Sequence, residues 1–183
     1  MLPPGHIAAG FLAAKVLLHY SHQNFTSHQI TQLLWWGAFF GFSPDLDVFY
    51  FFIRNKTLLV AGKESSNDSH RSYISHAPIL WLVAGLLIYF LAATPYVKFI
   101  GLLLWLGSWS HFLLDSIEYG IMWLWPLSNR IYALKNREVK AVVEEKGFVA
   151  HIWGFLKLYS VRVTFYVEIL ILGLAIYILA HSF

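Results

Sequence analysis

Long apolar runs make up most of this chain, and its histidines and aspartates gather in four short islands at the ends of those runs. The islands are Gly5-His6, Pro44-Asp45-Leu46-Asp47, His70-Arg71 running to Ser75-His76, and Ser110-His111-Phe112-Leu113-Leu114-Asp115. Ionisable groups beside hydrocarbon are costly and persist where they are paired, coordinated or functional. The pattern restricts the chain to folds that gather apolar helices around a few polar side chains. Only 13% of the residues are charged and 58% are hydrophobic, against about 25% charged in soluble domains, so the solvent implied is a bilayer. The absence of cysteine excludes disulfides, thiolate catalysis and cysteine-based zinc sites. Met1-Leu2-Pro3-Pro4-Gly5 lacks a charged leader, so no cleavable signal peptide is expected.

The apolar runs fall at Ile7–Tyr20, Ile30–Phe42, Pro44–Ile53, Ala77–Ala93, Tyr96–Leu114, Ile117–Trp125 and Val163–Ala180. Crossing the hydrocarbon takes about 20 residues, or about 17 at the short end, which qualifies Ala77–Ala93, Tyr96–Leu114 and Val163–Ala180. Thr94-Pro95 predicts an antiparallel hairpin of the first two, because proline ends one helix and suits the first turn of the next. Ser43-Pro44 divides Ile30–Phe42 from Pro44–Ile53, with Ser43 expected as an N-cap and the two aspartates in the first turn. Broken helices at membrane depth occur where they line a cavity or lie within protein. Ile117–Trp125 is too short to span.

The expected fold is therefore all-α, a polytopic membrane helical bundle of about four to five transmembrane helices. It carries a broken helix near residues 43–44 and a re-entrant or interfacial segment near 117–125. Residues 1–183 form one domain: a bundle core over 1–127, a basic loop over 128–162 and a C-terminal transmembrane helix over 163–180. Eleven of the 13 basic residues lie in stretches 54–75 and 126–162, which the positive-inside rule assigns to the cytoplasm, with the C-terminus outside. All four islands then meet at the cytoplasmic end of the bundle.

His111 and Asp115 are one helical turn apart and share a face, and Glu118 extends that face by three residues. Imidazole and carboxylate without thiolate suit zinc, with manganese or iron as alternatives, better than calcium. The candidate metal ligands are His6, Asp45, Asp47, His70, His76, His111 and Asp115, more than one four-coordinate ion needs. Two ions about 3.5–4 Å apart can activate water and clamp a phosphoester, and Arg71 could neutralise the phosphate. Arg71, Asp47 and Glu118 are the candidate catalytic residues. His151, outside the islands, is a further ligand candidate, and Glu168 in the last apolar run is expected to point into the bundle. Each island also has a plainer reading: a hydrogen-bonded His-Asp pair, a helix cap, or a solvated His-Arg. Their joint occurrence on one side favours metal.

Taken in order, the islands resemble the bacterial and archaeal membrane-bound metal-dependent hydrolases of the YdjM type. The resemblance rests on Gly5-His6, Pro44-Asp45-Leu46-Asp47, the stretch from His70-Arg71 to Ser75-His76-Ala77, and Ser110-His111 to Asp115 leading to Trp125-Pro126. His70 and His76 stand one residue further apart than in that family, with Ser75 and Ala77 in place of its threonine and serine. By fold analogy the resemblance extends to the zinc phospholipase C and single-strand nuclease superfamily. It implies a prokaryotic inner-membrane hydrolase cleaving a lipid or lipid-linked phosphoester by metal-activated water. The metal site would lie on the cytoplasmic side, the partners would be the lipid bilayer and its substrate, and no nucleic acid is expected. The rival is a non-enzymatic membrane metal-binding or ion-transport protein. A metalloprotease is disfavoured because no His-Glu-x-x-His occurs.

Overall fold

The computed structural model describes residues 1–55, 71, 73–135 and 148–181, and these are helical apart from turns and one isolated antiparallel bridge. Helix α1 spans Pro3–Tyr20 and opens on two prolines, whose missing N–H groups cost nothing in a first turn. Helix α2, Ser27–Phe42, starts from a capping box in which Thr26 and Gln29 bond each other's backbone N–H. It ends because Pro44 has no N–H to give the carbonyl four residues back and its ring crowds that turn. The Ser43 hydroxyl instead donates to the Phe40 carbonyl at 3.1 Å. Ser43 thus closes α2 rather than capping the next helix. A 3-10 turn over Ser43–Leu46 leads directly into α3, Asp47–Asn55.

Helices α4 (Pro78–Leu91) and α5 (Pro95–Asp115) form the expected hairpin, with the Thr94 hydroxyl accepting from Val97 N–H at the α5 N-terminus. They pack closely where Gly85 meets Gly101. Beyond Asp115 the chain turns rather than continuing as helix, and Ile121 bridges Tyr132. The stretch expected as a loop over 128–162 contains helix α6, Phe148–Tyr159, followed by α7, Val163–His181. Its aromatic and aliphatic side chains carry helical character that a count of lysines and arginines overlooks.

Helices α1, α2 and α5 pack on one another, α4 lies against α5, and α7 against α1. Their shared core includes Ala14, Leu33, Phe99 and Leu103. The backbones of α1 and α2 approach so closely that a Cβ on Gly41 would stand 2.4 Å from the His6 carbonyl oxygen. Small residues permit such approaches between membrane helices, and here the approach brings the first and second islands together. Two of the described helices, α5 with 21 residues and α7 with 19, are long and apolar enough to cross a membrane. Helix α4 is apolar but stops at 14 residues, about 21 Å at 1.5 Å per residue, because Ala77 and Ala92 are extended at its ends.

Candidate metal centre

Ends of several helices meet at one pole of the bundle, and the described residues of the polar islands sit on or beside them. His111 and Asp115 occupy the last turns of α5, and both are fully buried. His111 Nδ1 is 3.0 Å from the Gly41 carbonyl oxygen. A carbonyl only accepts, so Nδ1 carries the proton and Nε2 is the nitrogen turned inward. That Nε2 makes no hydrogen bond, although Asp45 Oδ1 is 3.5 Å away and Asp115 Oδ2 is 3.9 Å away.

His76, in the turn before α4, repeats the arrangement. Its Nδ1 is 2.8 Å from Asp47 Oδ2, and the Ser75 hydroxyl donates to the same oxygen. His76 Nε2 faces Asp45 Oδ1 at 3.6 Å. Burial works against the charged imidazole, but the bonds to Asp45 and Asp47 outweigh it and raise the His76 pKa. His6, in the first turn of α1, stacks on His111 with ring centroids 3.7 Å apart. Its Nε2 lies 3.3 Å from Asp115 Oδ1 and 4.0 Å from Asp45 Oδ2, while its Nδ1 has no hydrogen-bond partner.

Two sets of ligand atoms, each within 4.8 Å of one another, result: His6, Asp45 and His111, and His76, His111 and Asp115. All of these side chains are buried. A buried ring nitrogen without a partner costs about 1–3 kcal/mol, and among the described residues both nitrogens of His6 and Nε2 of His111 make no hydrogen bond. Ring nitrogens tied down at Nδ1 with Nε2 turned towards carboxylates are how proteins prepare histidines for a metal. The residues therefore fit a divalent ion with nitrogen and oxygen ligands.

The other expected site residues fall differently. Asp47 is outside both sets and stands behind His76. Arg71, expected to meet a substrate phosphate, donates through Nε to Asp115 Oδ2 at 2.5 Å, with its guanidinium 4.4 Å from the Tyr119 ring centre. The other Asp115 oxygen is 2.7 Å from the Met1 amino group. Glu118 does not continue the face of His111 and Asp115, because α5 ends at Asp115 and Ser116 folds back on Phe112. Its carboxylate instead accepts the Thr164 hydroxyl at 2.7 Å and the Thr164 N–H at 3.2 Å. His70 lies outside the described residues, and His151 lies in α6. Ser75, part of the third island, takes part in the network through its hydroxyl, as do the Gly41 carbonyl and Tyr119, although nothing in the local sequence of the latter two distinguishes them.

No curated protein and no solved structure matches the chain. The profile of the YdjM inner membrane proteins matches residues 1–183, the full length over which the four islands and both long apolar helices occur, and the chain belongs to that family.

Proposed function

We propose that this inner-membrane protein is a metal-dependent hydrolase acting on a phosphoester whose lipid tail lies in the bilayer. One observation carries the reading: the Nε2 atoms of His76 and His111 stand 3.6 Å and 3.5 Å from the same oxygen of Asp45, each ring held from behind through Nδ1. His6, Asp45, His76, His111 and Asp115 would hold the metal, zinc in the first place and manganese or iron as alternatives. A divalent ion bound there supplies Lewis-acid activation of water and neutralises charge on the phosphoryl oxygens. Asp47 keeps the His76 ring in register. Arg71 is 13% exposed at the edge of the cluster and adds positive charge on the side from which a phosphate enters. Leu46, Phe49, Tyr50 and Ile53 are exposed beside Asp45 and Asp47, an apolar lip suited to an acyl chain.

The metal pole belongs on the cytoplasmic side in this reading. Arg71 and Arg162 both reach Tyr119 beside the centre, and the Lys135 N–H bonds the Ile117 carbonyl there. Basic residues collect on the cytoplasmic face. Helices α1, α2 and α4 complete a bundle of about four to five membrane-crossing helices around α5 and α7.

A second reading, a metal-binding protein without catalysis, is favoured by the complete burial of His6, His111 and Asp115. Structural zinc sites are closed, whereas catalytic ones keep a position open. Metal quantification beside a screen against lipid phosphoesters separates the two. His111→Ala should lose bound metal and hydrolysis together. Arg71→Ala should bind metal more weakly, because Asp115 loses the Arg71 Nε–H, and at saturating metal its turnover should still be about 10²–10³-fold lower, the usual cost of one transition-state donor. Wild type that binds metal yet cleaves nothing in the screen would leave the non-catalytic reading standing.

A further inference from the structure

Glu168 is an acid within the candidate membrane helix α7, 4% exposed. A carboxylate at that depth must be satisfied by donors, and three converge on it. Oε1 accepts the Gly5 N–H at 3.1 Å, and Oε2 accepts the Tyr159 hydroxyl and, at 3.4 Å, the Leu2 N–H.

Two of the three donors belong to the start of α1. The first N–H groups of a helix have no partner within it. In α1, Pro3 and Pro4 have none to offer, and Leu2 at the cap position provides no side-chain bond. The Gly5 N–H is shared between the Leu2 carbonyl and Glu168 Oε1, each at 3.1 Å, so the side-chain cap that Leu2 lacks is supplied by Glu168, 163 residues away from Gly5. Negative charge at a helix N-terminus also suits the helix dipole.

The space for this carboxylate exists because residue 5 is glycine. A Cβ there would stand 2.8 Å from Glu168 Cγ and 2.9 Å from Oε1, closer than such atoms come. His6 follows immediately and stacks on His111. We propose that Glu168, seated against Gly5, is a positioning residue that fixes the first turn of α1 and so holds His6 in the metal centre. The proposal rests on the reading of His6 as a metal ligand. It accounts for the glycine of the first island and for the one acid of the last helix by a single contact.

The test uses the full chain in detergent, with Co²⁺ as the probe because its visible absorption reports ligand number and geometry. Glu168→Gln keeps the shape of the side chain and should retain helicity by circular dichroism. Its Co²⁺ affinity should fall about 10–100-fold, as for other groups that orient ligands, with an altered visible band. Gly5→Ala should produce a loss of the same order, since the added methyl displaces the carboxylate. Once Glu168→Ala has removed the clamp, adding Gly5→Ala should change affinity little, the non-additivity expected of residues acting through one contact. Wild-type affinity and spectrum in both Glu168→Gln and Gly5→Ala would overturn the proposal, as would losses in Gly5→Ala and Glu168→Ala that simply add. Wild-type protein that takes up neither Co²⁺ nor Zn²⁺ would overturn the metal reading itself, a failure seen before any variant is made.

Discussion

Asp45 and Asp47 are two residues apart in one island, yet they have different work. Asp45 presents an oxygen to two imidazole Nε2 atoms, whereas Asp47 binds His76 Nδ1 and the Ser75 hydroxyl. Their separation follows from the turn at Ser43–Leu46, which leaves Asp45 in the 3-10 segment and Asp47 at the start of α3. Asp47→Ala should therefore weaken zinc binding about 10–100-fold without abolishing it, the usual effect of losing a residue that orients a ligand. Asp45→Ala should remove a ligand and cost more. Calorimetric zinc titration of the two variants checks this, and equal losses would contradict the division of roles. The sequence placed both aspartates among the candidate ligands because residue type alone does not say which carboxylate faces the centre and which stands behind a ring.

Elements meet here through carboxylates that reach from one helix end to another. Glu118, in the turn after α5, binds the first turn of α7 through Thr164. Burial works to raise its pKa, but the bonds from Thr164 and Val163 and the nearby Arg162 charge lower it below the usual 4.5. A carboxylate with a lowered folded-state pKa adds stability that is present above its unfolded value. That stability is lost as pH falls through the folded value. Glu118→Gln should cost about 1.5–3 kcal/mol at neutral pH, the range for hydrogen bonds to charged groups. It should also flatten the loss of stability on acidification below about pH 4.5. Unfolding of both proteins in detergent across that range is the measurement, and parallel pH profiles would rule out the linkage. Helix α5 was legible almost to its ends, since Pro95 opens it and the apolar run closes near Asp115. The bend away from the helix at Ser116 was not. It depends on side chains folding back onto the last turn, which periodicity does not register.

For the whole molecule, the arrangement of helix ends sets the topology. The N-termini of α1, α4 and α7 and the C-terminus of α5 share the pole that carries His6, His76, Thr164 and Asp115. Helix α7, with 19 residues, extends about 28 Å from that pole at 1.5 Å per residue, close to the thickness of the hydrocarbon layer. Reporters fused at Lys135 and at His181 should therefore lie on opposite sides of the membrane, with Lys135 cytoplasmic. Finding both on one side would refute the orientation and leave α7 lying along the bundle.

What the sequence determined by itself is the helical class, the membrane as solvent, the hairpin at Thr94-Pro95 and the break at Ser43-Pro44. Each follows from local chemistry: run length, apolar content, and a proline with no N–H to offer the Phe40 carbonyl. The tertiary structure alone decided which polar groups touch. Glu168 caps α1 from 163 residues away, Glu118 holds α7 rather than joining the His111 face, and the Gly41 carbonyl sets the His111 ring. These contacts depend on how closely helices approach one another. Glycines at facing positions control that approach, and a one-dimensional pattern does not show which of them face each other.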